Sequence, residues 1–351
     1  MRTVITMLIV AAMLAAARGA ATRAADNPIV PEGAKLELLF TRTAKLTSGL
    51  TEGPAVAPDG SIYFTDMPFG PEPGMILRFD PATRQVTVFT ANSGKANGLT
   101  CDANGDLVAC EGADYGGRRV ARWNIKTGKS QTIADKYQGK RFNAPNDLCI
   151  DTKGRIYFSD PRYLGEEPRE LEHRAVYRID PDGAVIEITH EVEKPNGVAL
   201  SPDEKTLYVG DHNNGTDKID PAAPPPKPGA MKIYAFPLGP DGRVSGPRKT
   251  LVDFGAEAGS DGICVDVKGN IYLTSRSMKR PGLMVIDPTG KELAFVPTGP
   301  ANQIAGQEPV GIPSNCEFGI GGEDTMLYVT VDKSLYRIRL KVAGYHVPFK
   351  K

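Results

Sequence analysis

The chain is poor in the residues from which several common protein classes are built. Among 351 residues there are four histidines, one tryptophan and five cysteines. No two cysteines form a Cys-x-x-Cys pair, which argues against a structural zinc site. Cys101, Cys110, Cys149, Cys264 and Cys316 are odd in number and scattered, unlike a disulfide framework. Cys101 and Cys110 flank the turn Asp102 to Gly105, where a bridge across a hairpin is the lesser alternative; most of the cysteines read as small buried hydrophobes. There is no Gly-x-Ser-x-Gly elbow, so a Ser-His-Asp hydrolase of that type is disfavoured. Basic residues form no block, which makes nucleic acid a poor candidate partner. Sustained helical periodicity is missing too.

Long apolar runs are confined to the first residues. Arg2 precedes an apolar segment from Val4 to Ala17, and small residues follow to Ala25. This is the layout of a cleavable secretory leader over residues 1–25. At about 14 residues the run falls short of the ~20 that a spanning helix needs. The expectation is a secreted or periplasmic chain with no membrane segment after cleavage. Removing Arg2, Arg18 and Arg23 from 42 basic residues leaves 39 against 42 acidic ones, a formal charge of −3.

What the sequence does contain is a repeat. A polar lead residue, a short apolar stretch, a Gly turn and an aliphatic or aromatic strand recur from Glu52, Asn97, Asn146, Asn196 and Asp261, with a weaker sixth copy from Cys316. The turn glycine falls eight residues after the lead at Gly60, Gly105, Gly154 and Gly269. The strand after it centres on Tyr63, Val108, Tyr157, Tyr208, Tyr272 and Tyr328. A Gly turn between two β-rich runs is a hairpin signal. Further strand pairs follow, joined at Asp80-Pro81, Asp180-Pro181 and Asp287-Pro288. Six such units spaced by 45 to 65 residues describe an all-β, six-bladed β-propeller over residues 26–351. The segment Pro221 to Pro228 is too proline-rich for a central strand and reads as a loop insertion. Lys35 to Phe40 supplies the strand that closes the ring.

Equivalent positions in successive blades converge on the propeller axis, so the leads mark a site. Glu52, Asn97, Asn146, Asn196 and Asp261 all carry side-chain oxygens, and hard cations take six to eight oxygen ligands. The competing reading makes each Asn-Gly or Asp-Gly an ordinary turn residue. Glu52 is a poor turn former, and five polar leads at one offset favour the cation. Of the histidines, His173, His190 and His346 read as surface residues, while His212 ends a blade-four strand where it could face a cavity. Asp66 and Asp160 end equivalent strands as turn caps, and Arg118 beside Arg119 is a candidate for binding a polar substrate.

The copies beginning at Glu52, Pro145, Pro195 and Ser260, above all the stretch Arg141 to Tyr163, resemble the gluconolactonase/regucalcin-type propellers, a group that includes diisopropyl-fluorophosphatase. The resemblance spans nearly the whole mature chain. It implies an axial divalent cation, usually Ca²⁺, held by Glu52, Asn146, Asn196 and Asp261; Mg²⁺, Mn²⁺ or Zn²⁺ remain open. It implies that Asn97 and Asn143 line a substrate cavity, and that Asp261 is both ligand and general base in opening a small-molecule lactone. Asp147 is the second candidate for the base, since a dication lowers the basicity of its own ligand. Where the family carries Cys-Glu-His this chain has Cys110-Glu111-Gly112, which weakens any inference to a particular sugar lactone. The alternative to hydrolysis is a propeller that binds a ligand around a structural calcium, and phosphotriester cleavage would use the same site.

Overall fold

A computed structural model describes residues 27–42, 49–217, 227–298 and 311–350. The expected leader and most of the proline-rich insertion lie outside these residues. The described chain forms six four-stranded antiparallel sheets, five of them meanders of sequential strands, arranged as the blades of a propeller, with a small two-stranded ribbon at Lys136–Tyr137 and Lys140–Arg141. Their innermost strands are Leu50–Val56, Ala96–Cys101, Leu148–Ile150, Pro195–Leu200, Ser260–Val265 and Pro313–Phe318.

The repeat determines the strands through burial. The tyrosines at the centres of the second strands, with Val108 in blade 2, are all buried. The core is divided into six apolar clusters, each filling the gap between two neighbouring blades. Phe142, Phe158 and Tyr177 pack ring on ring between blades 2 and 3. Each blade is therefore stable only against its neighbours, and the ring must close.

Closure joins the two ends of the chain. Glu37–Thr41 pairs antiparallel with Ser334–Arg339 and becomes the outermost strand of blade 6, so the N-terminal segment completes the last sheet. Arg337 locks this pairing from the side, with Nε donating to Glu37 Oε2 at 2.7 Å. Near the axis the Thr51 amide donates to Asp332 O at 2.6 Å, and Ser314 Oγ donates to Thr51 O at 2.7 Å.

One sequence expectation changes here. Strand register places Cys264 opposite Tyr272 and Glu317 opposite Tyr328. The sixth lead, equivalent to Asp261, is accordingly Ser314 and not Cys316. The copy looked weak because its lead is a small hydroxyl that serves closure. The pairing of Cys101 with Leu107 leaves Cys101 and Cys110 out of register for a bridge, and both are free thiols.

Replacing Ser314 by Ala should strip the Thr51 carbonyl of a buried partner and cost about 1–3 kcal/mol of stability. Urea unfolding of Ser314→Ala checks this; a midpoint equal to wild type would remove Ser314 from the closure.

Candidate functional site

At the lead positions the innermost strands bulge. Register slips between Glu52 and Ala55, Ala96 and Leu99, Pro195 and Val198, and Ser260 and Ile263. A bulge bends its strand and re-aims a side chain, and here the leads turn toward the axis. The leads are steadied from behind. Asp160 accepts the amides of Asn143 at 2.8 Å and Ala144 at 2.6 Å, and Asp211 accepts those of Glu193 at 2.9 Å and Lys194 at 2.8 Å. These acceptors sit at equivalent places below Asn146 and Asn196. Asp160 is thus a cap, as expected. Asp66 differs, meeting the guanidinium of Arg42 at 3.2 Å.

The residue after the lead explains the repeated glycine. A Cβ at Gly98 would lie 2.5 Å from Asp147 Oδ1, and one at Gly262 would lie 2.2 Å from Asn315 Oδ1. Four blades have glycine at this position; blade 3 has Asp147 and blade 6 has Asn315. These two stand in blades facing each other across the axis, where Asn315 Nδ2 approaches Asp147 Oδ1 at 3.5 Å. Asp147 also accepts the Val198 amide at 3.2 Å. Burial pushes its carboxyl up to about 7, against the pull of these hydrogen bonds. The pair divides the axial space into two cavities on opposite faces.

The cavity of about 240 Å³ on one side is lined by Glu52, Asn97, Asn146, Asn196 and Asp261. The structure thereby brings together the four residues expected to hold a cation, with Asn97 beside them. Four other expectations are corrected. Asp147 lines the opposite cavity, with Cys149, Glu317 and the C-terminal residues Tyr345 to Val347. Asn143 is fully buried and donates through Nδ2 to Asp160 O and His173 O, because its side chain turns outward into blade 3. Arg118 is spent on Phe142 O and Pro168 O and does not reach the lining. His346, read as a surface residue, borders the opposite cavity and contacts Gly319 O.

Sequence reasoning missed the wall. Phe69, Ala113, Tyr163, Asn214 and Arg276 all line the cavity. Each follows the end of the second strand of its blade by one to three residues. That common offset was the available signal. His212 lines the cavity as well, and burial pushes its imidazole down to about 3, leaving it neutral. Tyr163 organises this wall: its hydroxyl donates to His212 O and accepts from Asn196 Nδ2, each at 3.1 Å.

The electrostatics are unbalanced. Glu52 is 3% exposed and Asp261 8%. Burial, then Asp261, pushes the Glu52 carboxyl well above its ordinary range, with Arg276 opposing. Asp261 is also raised by burial, while Arg276 Nη1 donates to its Oδ2 at 2.8 Å. Two buried carboxylates thus share one guanidinium, which touches only one of them. Among the described residues no three His, Cys, Asp or Glu form a metal-binding group; this cluster is two carboxylates completed by amides. Such a donor set fits a hard divalent cation.

Fold and cavity define a class: a six-bladed propeller with an oxygen-lined axial site. The sequence pattern of the SMP-30/Gluconolactonase/LRE-like region matches residues 50–333, and the chain belongs to this family. It is 29% identical to a gluconolactonase of Zymomonas mobilis over 315 residues, which cover 84% of this chain and 79% of that protein. Regucalcin of Gallus gallus is 28% identical over 263 residues, 73% of this chain and 78% of the relative. The solved structure of a gluconolactonase from Xanthomonas campestris superposes with a TM-score of 0.69 at 29% identity, covering 88% of this chain and 90% of the other.

A carboxyl held above its ordinary range destabilises the fold as pH rises, because the native state then binds more protons than the unfolded one. In chelator, Glu52→Gln should therefore melt at a higher temperature than wild type at pH 7, with the gap closing as the pH falls toward 4.5, the ordinary value for Glu. A scanning-calorimetry series with no such convergence would show that Glu52 is not an uncompensated buried charge.

Proposed function

We propose that the chain is a metal-dependent hydrolase that opens a sugar lactone in the axial cavity. The observation that carries this reading is the pair of buried carboxylates, Glu52 and Asp261, in a cavity completed by the lead asparagines Asn97, Asn146 and Asn196 and supplied with one guanidinium. The relatives named as gluconolactonases support the reaction class.

Glu52, Asn146, Asn196 and Asp261 would hold the cation, Ca²⁺ by the chemistry of the donors. When bound, it would polarise the lactone carbonyl and stabilise negative charge developing on its oxygen. The chain's own residues do the rest. Tyr163 accepts from the Asn196 amide nitrogen and so steadies that side chain at the cavity. Asn97 offers an amide to the substrate's oxygens. Leu50, Met67, Phe69 and Leu164 give the wall an apolar surface that limits free water. Asp261 takes the proton from the attacking water and returns it to the ring oxygen as the C–O bond breaks. With Asp147 behind the partition, Glu52 and Asp261 are the carboxylates that line the cavity.

Acid release from gluconolactone, followed at constant pH above the spontaneous rate, tests the reading. Chelation and Asp261→Asn should each lower it by about a hundredfold or more, the scale of losing a positioned base. A rate indifferent to both would leave a ligand-binding propeller with a structural ion as the better account.

Export follows from the leader expected over residues 1–25. The mature chain recovered from the periplasm or medium should begin near Asp26 by N-terminal mass analysis. Recovery of only the full-length chain in the cytosol would overturn this.

A further inference from the structure

We infer that the preferred substrate is a lactone bearing a carboxylate, and that Arg276 receives this second group. The inference rests on the hydrolytic reading above and specifies its substrate class. Arg276 directly follows the second strand of blade 5, and its amide donates to Gly259 O at 2.9 Å, which fixes where the side chain starts. Its guanidinium makes two hydrogen bonds, both through Nη1, to Asp261 Oδ2 at 2.8 Å and Pro313 O at 3.2 Å. Nε and Nη2 make none among the described residues. With its side chain 25% exposed and lining the cavity, Arg276 keeps donors available beside the reacting centre. A structural counter-ion for Asp261 alone would need no such exposure.

The charge balance points the same way. Glu52, Asp261 and Arg276 are the lining residues with formal charge, since His212 is neutral. A dication held by Glu52, Asn146, Asn196 and Asp261 would leave the described lining with one surplus positive charge. Lys194 and Lys95 are not lining residues: Lys194 donates to Asn214 Oδ1 and Thr216 O and packs over the Tyr163 ring, and Lys95 donates to Pro68 O and Gly70 O. An uncharged sugar lactone does not use the surplus. A monoanionic carboxylate balances it, and the guanidinium fork matches carboxylate geometry. A phosphate dianion would overbalance it.

The test compares the monolactone of glucaric acid, which carries a free carboxylate, with uncharged gluconolactone at saturating calcium. Wild type should favour the acidic lactone in kcat/KM, and Arg276→Met should lower that ratio about tenfold or more, the scale of a lost charged hydrogen bond. Arg276→Lys, which keeps the charge, should recover part of the ratio and guards against a variant that fails to fold. A second arm needs no turnover: calorimetry should show glucuronate, a sugar acid with one carboxylate, binding to the calcium-loaded protein and weakening about tenfold or more in Arg276→Met. If gluconolactone is opened while ratio and glucuronate affinity are unchanged by Arg276→Met, the anion site is wrong and the hydrolytic reading stands. If neither lactone is opened yet glucuronate binding depends on Arg276, hydrolysis is wrong and the anion site stands. A six-carbon sugar phosphate binding more tightly than glucuronate would overturn the choice of carboxylate.

Discussion

Where the six innermost strands meet the axis there is no room for a full set of side chains. Gly98 and Gly262 sit so near Asp147 and Asn315 that even a Cβ would collide with them. This crowding decides most of what happens around the axis. It admits a side chain after the lead in two facing blades, and those two meet to form a partition. It forces the bulges that turn the leads inward. It also holds Glu52 and Asp261 in one poorly hydrated cavity, where like charges repel far more strongly than in water.

The same crowding sorts the polar groups by task. Ser314, the sixth lead, is drawn into the seam between the last and first blades and offers nothing to the cavity. Asp147 spends its carboxylate on the Val198 amide and Asn315 within the partition. Asp160 and Asp211 hold the backbone beneath two asparagines. What is left over is a small group of side-chain oxygens lining the cavity with one arginine, and this remainder is the chemically useful part of the molecule. The apolar part of its wall, Leu50, Met67, Phe69 and Leu164, makes every charge inside it count.

Architecture was highly legible in the sequence. A hairpin repeated at nearly constant spacing can bury its apolar face only against another copy, so six copies in one chain imply a ring. The closing strand was legible for the same reason, because the last repeat lacks its fourth strand. The leads were legible as a set because equivalent offsets in equivalent blades must point to one place. Less visible were the relations between blades. That Asn143 turns into blade 3 and Arg118 onto the Phe142 and Pro168 carbonyls depends on loop paths with no repeat to guide them. Residues next to a functional position in sequence can face the other way, as Asp147 does behind Asn146.

By itself, then, the order of residues determined the all-β ring, its closure and the five polar side chains that look inward, because each depends on periodic burial and local turn chemistry. Tertiary packing alone decided which cavity each polar group enters, which carboxylates stay uncompensated, and that Arg276 stands beside them. Those outcomes turn on contacts the repeat does not encode, from Arg276 on Asp261 within one blade to Asn315 on Asp147 across the axis, and a shift of one position in the bulge exchanges a residue facing the cavity for one in the partition.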